Sequence, residues 1–310
     1  IAINGDIVFA TSTPLTIAIP AIKTKKKLKK PMVFEVRDLW PELPIAIGAI
    51  KNPILIYLAK RLERWAYSNS NEIVVLSPGM SEGVAKTGYP IENIHIIPNS
   101  SDISFFQLNK KLKIGLQNKY KWNVGDKIII YTGTLGEING VEYLVDIANE
   151  FIEINNKVKF LIVGDGIEEQ AIRNKAKIYN CLDNNLFLIN QLPKNKMPGL
   201  FNISTIATSL FIPLKEMEAN SANKFFDTLA AGKPIVINYG GWQKDLIEKH
   251  NIGLVLARDP KVAANELNEL LLNDELLNTK GKNALALAKS EFSRDKLAQE
   301  LIHILESLVS

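Results

Sequence analysis

The stretch IIIYTGTLGEINGVEYLVDIANEF runs from Ile128 to Phe151 and joins three patterns in one line. Ile128–Thr132 is an apolar run, as expected of a strand covered on both faces. Gly133, Gly136 and Gly140 then punctuate the chain. After them Val141, Leu144, Val145, Ala148 and Phe151 recur on one face at helical spacing. Strand, glycine turn and amphipathic helix make the repeating unit of a parallel α/β sheet, because parallel strands require a crossover.

The same alternation extends in both directions. Further strands are predicted at Ile7–Ala10, Met32–Arg37, Glu72–Ser77, Ile94–Pro98, Lys159–Val163, Leu186–Asn190, Ile206–Ile212, Pro234–Asn238 and Gly253–Ala257. Between them lie helical patterns such as NPILIYLAKRLERWAYSNSN (Asn52–Asn71), where Ile54, Leu58, Leu62 and Trp65 form an apolar stripe. Trp65 and Tyr67 read as packing residues at its end. The polar, lysine-rich segment Asn99–Lys127 interrupts the alternation, which starts afresh after it. The expected fold is therefore α/β, with two doubly wound, Rossmann-like parallel-sheet domains. The expected organisation is a first, incomplete domain over 1–107, a linker over 108–127, a second domain over 128–290, and a C-terminal helix over 291–310 that could pack back on the first domain.

Composition narrows the function. A chain of 310 residues suits two domains, and a net charge of +4 argues against a general polyanion binder. One cysteine, Cys181, rules out an intrachain disulfide and a cysteine-based zinc cluster. His95, His250 and His303 show no metal-ligand spacing. With neither a signal peptide nor a membrane-spanning run, the expected location is cytoplasmic. Lys23–Lys30 (KTKKKLKK) reads as a solvated helix end, with peripheral contact to an anionic membrane at its inner face as the alternative. It lacks interleaved aromatics, so no nucleic-acid partner is expected. The chain starts at Ile1, almost directly in a buried strand, and upstream sequence is expected to be missing.

Four stretches could hold chemistry. In NSANKFFDTLAAGKP (Asn220–Pro234), Ser221 reads as an N-cap, with Ala222, Asn223 and Lys224 in the first helical turn. An acid would be preferred there; Lys224 and the unpaired amides suit an anion instead. Asp227, one turn on, could accept from a ribose hydroxyl. The alternative is a solvated ion pair of Lys224 with Asp227, Glu216 or Glu218. Gly133–Gly140 could aim amides at a phosphate, or could serve only a turn of positive φ. Gly164 and Gly166, in FLIVGDGIEEQAI, read as a tight turn bordering a base or ribose, since Glu168 and Glu169 would repel a phosphate. In VFEVRDLWPEL, Arg37, Asp38, Trp40 and Glu42 read as a cleft wall, or as an Arg37–Glu42 or Arg37–Asp38 pair with Trp40 in the core.

Taken in order, these stretches resemble the GT-B-fold retaining glycosyltransferases of family 4, of the type that builds bacterial surface polysaccharides. EVRDLWPE and IVVLSPGMSEGVAKTGYPIENIHIIPNSSD resemble the second half of the family's N-terminal domain. YTGTLGEINGVEYLVDIA, FLIVGDG and SANKFFDTLAAGKPIV resemble its donor-binding domain. The resemblance implies that Lys224 contacts the donor diphosphate, that Asp227 holds the ribose, and that Gly133, Thr134, Leu135 and Gly136 form the loop over the diphosphate. It implies a nucleotide-diphosphate sugar, UDP-linked, as co-substrate, a glycan or lipid-linked acceptor, no cofactor and no metal. Ser221, Ala222, Asn223, Gly164 and Gly166 join the donor-binding candidates, and Lys224, Arg37 and Asp38 are the catalytic ones. There are departures. Ala219 stands where the family's first glutamate is usual, Thr134 and Asn139 replace a common arginine and lysine, and Arg37 replaces a histidine. The family's N-terminal strand and glycine-rich acceptor loop are absent. Two alternatives remain at this point, a non-hydrolysing UDP-sugar 2-epimerase and a non-catalytic nucleotide-sugar-binding fragment.

Overall fold

The computed structural model describes residues 5–108, 115–123 and 125–309. They form two compact units. One comprises residues up to Asn99, Leu214–Ser221 and the segment from Arg294; the other comprises Ser100–Pro213 and Ala222–Ser293. Residues 100–107 thus belong to the second unit, not the first, because Phe106 packs in a core with Ile128, Phe187 and Phe201. Part of the expected linker, at 109–114 and 124, lies outside the described residues. The helix Arg294–Ser307 belongs to the first unit.

The first unit has a four-stranded parallel sheet of β1 (Val8–Thr11), β2 (Met32–Val36), β3 (Glu72–Val75) and β4 (Ile94–Ile96), in that spatial order. Its core includes Phe34, Ile73, Val75, Ile22 and Tyr67. The helix Ala18–Leu28 ends in Lys25, Lys26 and Lys27, where cations face the negative pole. Lys25 Nζ donates to Asn69 O at 2.6 Å and to Asn71 Oδ1 at 2.8 Å, so this lysine ties the helix to the turn at Asn69–Asn71.

The helix Pro53–Ser68 starts as its sequence demands. Asn52 Oδ1 accepts from Ile54 N at 2.9 Å, and Pro53 needs no partner for its nitrogen. Its buried face departs from expectation. Ala59, Glu63, Ala66 and Tyr67 face the core, whereas Ile54 is 68% exposed, Leu58 50% and Trp65 37%. Small alanines let the helix lie close, and Tyr67 fills the space beside Phe34, 6.2 Å between ring centroids. Of the apolar stripe, Leu62 packs against the core, while Ile54, Leu58 and Trp65 face solvent, so Trp65 is not a core residue.

The second unit has a six-stranded parallel sheet of β5 (Lys127–Thr132), β6 (Val158–Val163), β7 (Leu186–Ile189), β8 (Ile206–Ser209), β9 (Ile235–Ile237) and β10 (Gly253–Val255). The spatial order is β10-β9-β8-β5-β6-β7, the doubly wound order. β5 is covered on both sides, as its apolar run predicts. Ile129 and Tyr131 enter one core with Val145 and Ala148, while Ile128 and Ile130 enter another with Leu161 and Ala207. Strand order reverses between β5 and β8, the place where sheets of this kind bind ligands at the carboxyl ends of their strands.

Candidate active site

Two loops lie at this reversal. The first follows β5. Gly133, at φ +138°, and Gly140, at φ +54°, adopt backbone that disfavours other residues. Gly136, at φ −110°, does not, so positive φ accounts for only part of the glycine pattern. A Cβ on Gly140 would lie 3.0 Å from Ile212 N, so close approach also applies there.

Gly164 and Gly166 are needed for another reason. A Cβ on Gly164 would fall 1.9 Å from Gly133 O, and one on Gly166 2.3 Å from Leu135 O. The loop after β6 packs backbone to backbone against the loop after β5. Hydrogen bonds lock them together: Gly133 N donates to Val163 O at 3.0 Å, Leu135 N to Asp165 O at 2.9 Å, and Glu168 N to Leu135 O at 2.9 Å. Leu135 itself is fully buried, so only its backbone is available to a ligand, whereas Thr134 is exposed. Glu169 pairs with Arg173 at 2.9 Å, one helical turn on.

The helix Asn223–Ala231 follows β8. Its N-cap is Ala222, one residue later than the sequence suggests, and no side chain caps it. Ser221 is turned instead toward Asn99: its Oγ accepts from Asn99 N at 3.4 Å, and its carbonyl accepts from Asn99 Nδ2. The helix thus begins with uncapped amides and an extended Ala222 at φ −66°, ψ 128°. Gly232, at φ +68°, ends it as expected.

Lys224 is held inside this unit. Its Nζ donates to Tyr131 Oη at 3.0 Å and to Asn139 Oδ1 at 3.1 Å, and lies 4.5 Å from the centroid of the Tyr131 ring. Phe211 is the second aromatic neighbour, at 5.7 Å. Neither polar partner is an acid, which removes the surface ion pair with Asp227, Glu216 or Glu218. Burial lowers the ammonium pKa to about 7. Burial also raises the Tyr131 hydroxyl above its ordinary value, so it stays neutral, and it donates in turn to Thr134 O at 2.9 Å. Tyr131 therefore links the lysine to the glycine loop. Asp227 lies one turn beyond Lys224 on the same helix, partly buried.

Arg37 and Asp38 lie in the first unit, just after β2. Arg37 Nη1 is 3.8 Å from Glu35 Oε2, so its ion-pair partner is Glu35, not Glu42 or Asp38. The Arg37 amide is anchored by donating to Ser12 Oγ at 3.0 Å. Asp38 accepts from Thr13 Oγ1 at 3.4 Å; burial raises its pKa, against the opposing effects of that bond and of Arg37. Asp38 lines a small recess with Leu43, Met80, Met217 and Asn220. Trp40 packs against the first core.

The sequence matches the family described as "Glycosyl transferases group 1" over residues 114–286, and "Glycosyltransferase Family 4" over residues 3–105. The chain belongs to the group 1 glycosyl transferases. Spore coat protein SA of Bacillus subtilis is 25% identical to this group 1 chain over 190 residues, 59% of the chain and 49% of the relative. The putative colanic acid biosynthesis glycosyl transferase WcaI of Escherichia coli is 26% identical over 169 residues, 53% of the chain and 41% of the relative. The group 1 chain thus spans less than two thirds of the length of either. Among solved structures, Anabaena Alr3699/HepE in complex with UDP and glucose matches 98% of the chain and 78% of its own, at a TM-score of 0.76 and 16% identity. The two parallel-sheet α/β units fit the GT-B architecture that such glycosyltransferases share.

Two residues of the candidate site are not singled out by the sequence of this group 1 chain. Tyr131 is hidden in the apolar run of β5, and Asn139 was noted only as a departure. The available signal was strand parity: Tyr131 shares a face with Ile129 and is the last aromatic before the glycine loop.

Proposed function

We propose that the chain transfers a sugar from a nucleotide-diphosphate donor, UDP-linked, to a glycan or lipid-linked acceptor in surface-polysaccharide synthesis, with retention at the anomeric carbon. The observation that supports this reading is Lys224, held by two neutral acceptors at an uncapped helix start beside the glycine loop. The demanding event in such a transfer is departure of the nucleoside diphosphate, which gathers negative charge on the β-phosphate. An ammonium whose partners are uncharged has no anion competing with that oxygen, and the uncapped helix start favours negative charge there as well. The UDP bound in the HepE structure and the colanic acid assignment of WcaI are consistent with this class of donor and product. Hexosyl or N-acetylhexosaminyl donors are both within the proposal, as is a mechanism that needs no metal.

The direct test incubates the protein with UDP-sugars and a panel of glycan and lipid-linked acceptors, with chelator present. Release of UDP coupled to acceptor elongation is expected, with the α-anomeric configuration of an α-linked donor kept. An isomerised nucleotide sugar formed without acceptor would assign an epimerase instead. UDP binding without turnover, with every acceptor, would leave a binding protein.

Two further outcomes follow from the lysine. A pKa of about 7 leaves roughly half of the free protein uncharged at Lys224 at neutral pH. A bound diphosphate raises that pKa, so binding takes up a proton. The group is more basic in the complex, so affinity is greatest below pH 7 and falls as pH rises above it. The expected slope for UDP is about tenfold per unit between roughly pH 7 and 9, where the nucleotide's own phosphate, with a pKa of about 6, is already ionised. Calorimetry in buffers of different ionisation enthalpy reads the uptake directly, and a flat profile that matches Lys224→Gln would refute the linkage. The second outcome concerns Tyr131→Phe, which keeps the ring under the ammonium but removes its acceptor and the bond to Thr134. About 1 kcal/mol of stability and a fivefold to tenfold (~1 kcal/mol) loss of UDP affinity are expected. Thermal melts and UDP titration measure both, and unchanged binding would relieve Tyr131 of its positioning role.

A further inference from the structure

Lys224 has a third neighbour whose placement the glycine loops do not explain. Phe211, 3% exposed, follows β8 and holds its ring 5.7 Å from the ammonium. Its peptide is gripped from both sides. Phe211 N donates to Asn238 Oδ1 at 2.9 Å, and Phe211 O accepts from Arg258 Nη1 at 3.1 Å. Asn238 follows β9 and is itself 3% exposed; Arg258 follows β10. One residue on, Ile212 N donates to Ile138 O at 3.1 Å, next to Asn139, the amide that accepts from Lys224. The Phe211 ring rests on Tyr239, 4.8 Å between centroids, and the Tyr239 hydroxyl is bonded to Ser209 Oγ at 2.9 Å and to Gln243 Oε1 at 2.5 Å.

We infer that Asn238 is a positioning residue of the proposed donor site: it fixes the loop after β8 so that Phe211 and Asn139 stay packed about the Lys224 ammonium. Phe211 N is buried and cannot turn to water. Without the Asn238 acceptor it is left unsatisfied or the loop moves. Such a movement carries Phe211 directly, and Asn139 through the bond between Ile212 and Ile138. The ammonium is sensitive to it because nothing charged holds it in place. Tyr131 from β5, Asn139 from the loop after it and Phe211 are all neutral, and the one of them that titrates, Tyr131, is pushed above its ordinary value. Burial is the cause of the lowered Lys224 pKa, with no contribution from Asp227 on its own helix or from Arg258. Water admitted beside the ammonium returns that pKa toward the ordinary lysine value of about 10.4. Asn238 thus acts on Lys224 through Phe211. The grip on the loop stands on this geometry alone; its purpose rests on the donor reading.

The test is Asn238→Leu in the full chain, which keeps the volume and removes the acceptor. The titration midpoint of Lys224 is followed in the free protein by the carbon-13 resonance of its Cε, assigned with Lys224→Met. It is expected to rise by about one pH unit or more. UDP affinity at pH 7 should fall about fivefold, the loss of one buried hydrogen bond, and its decline with pH should begin about one unit higher than in the wild type. Asn185→Leu controls for lost stability alone. Asn185 is also 3% exposed and donates to Ala148 O at 2.6 Å, but it precedes β7, at the amino end of the parallel sheet. That variant should lower the melting temperature and leave the Lys224 midpoint in place. Should Asn238→Leu not fold, Arg258→Met loosens the same peptide from its carbonyl side and is expected to move the midpoint in the same direction. An unchanged midpoint in whichever of these two variants folds, or an equal shift in Asn185→Leu, overturns the assignment. A shifted midpoint in a protein that binds no UDP keeps the role of Asn238 and counts against the donor reading.

Discussion

Replacing Lys224 with alanine is expected to lower turnover by about 10²–10³-fold, roughly 3–4 kcal/mol of transition-state stabilisation, without unfolding the protein. The size follows from what surrounds the ammonium. Its hydrogen-bond partners are the hydroxyl of Tyr131 and the amide oxygen of Asn139, so no fixed anion spends its charge before a donor arrives. The loop Gly133–Gly140 contains no lysine or arginine, which concentrates the task on one side chain. The fold should tolerate the change because burial penalises the charged lysine. Alanine does leave a gap beside Tyr131 and Phe211, and Lys224→Met fills it with an uncharged chain. Both variants should show wild-type circular dichroism and the same deep loss in kcat/KM for the donor. A near wild-type rate in the methionine variant would take Lys224 out of the mechanism.

The second large effect is structural. Gly164→Ala is expected to cost about 1–3 kcal/mol of stability and to weaken UDP binding in parallel. The added carbon would meet Gly133 O at 1.9 Å, and the obstacle is backbone, so the whole loop after β5 has to move. That loop is the one Tyr131 ties to Lys224, so the displacement reaches the proposed donor site. Gly136→Ala is the internal control. Its φ of −110° suits any residue, and its nearest contacts would be 3.5 Å from Asn139 Nδ2 and 3.7 Å from Thr134 Cγ2, ordinary packing. Chemical denaturation and UDP titration of the two variants should separate clearly. Equal behaviour would mean that the interlock of the loops is not what requires glycine at 164.

Much of the architecture was readable because its physics is local. Apolar runs such as Ile128–Thr132 must be covered on both faces, and the helices between them need only periodicity. The oddity of Lys224 was also readable, since a cation at a helix start opposes the dipole and asks for a counterion. Its partners were not. Tyr131 and Asn139 are 93 and 85 residues away in sequence and meet Lys224 only because β5 and β8 pair side by side. The cap at Ala222 was missed because Ser221 answers to Asn99, 122 residues distant. The ridge of the helix Pro53–Ser68 was misread for a related reason. Periodicity finds an apolar stripe, but which face meets the sheet is decided by fit, and the alanines won. The glycines at 164 and 166 look like those at 133 and 140, yet they answer to crowding and not to φ.

The interlock of the two loops has a consequence for how donor preference could change over evolution. The shape of the cradle is fixed by amide-to-carbonyl bonds from Gly133, Leu135 and Glu168, none of which involves a side chain. Thr134 and Glu137 project from it into solvent. Under the proposed donor role, substitutions there change what the loop presents to a nucleotide sugar while the scaffold beneath stays put, which makes the pair a sensible starting library for altering selectivity.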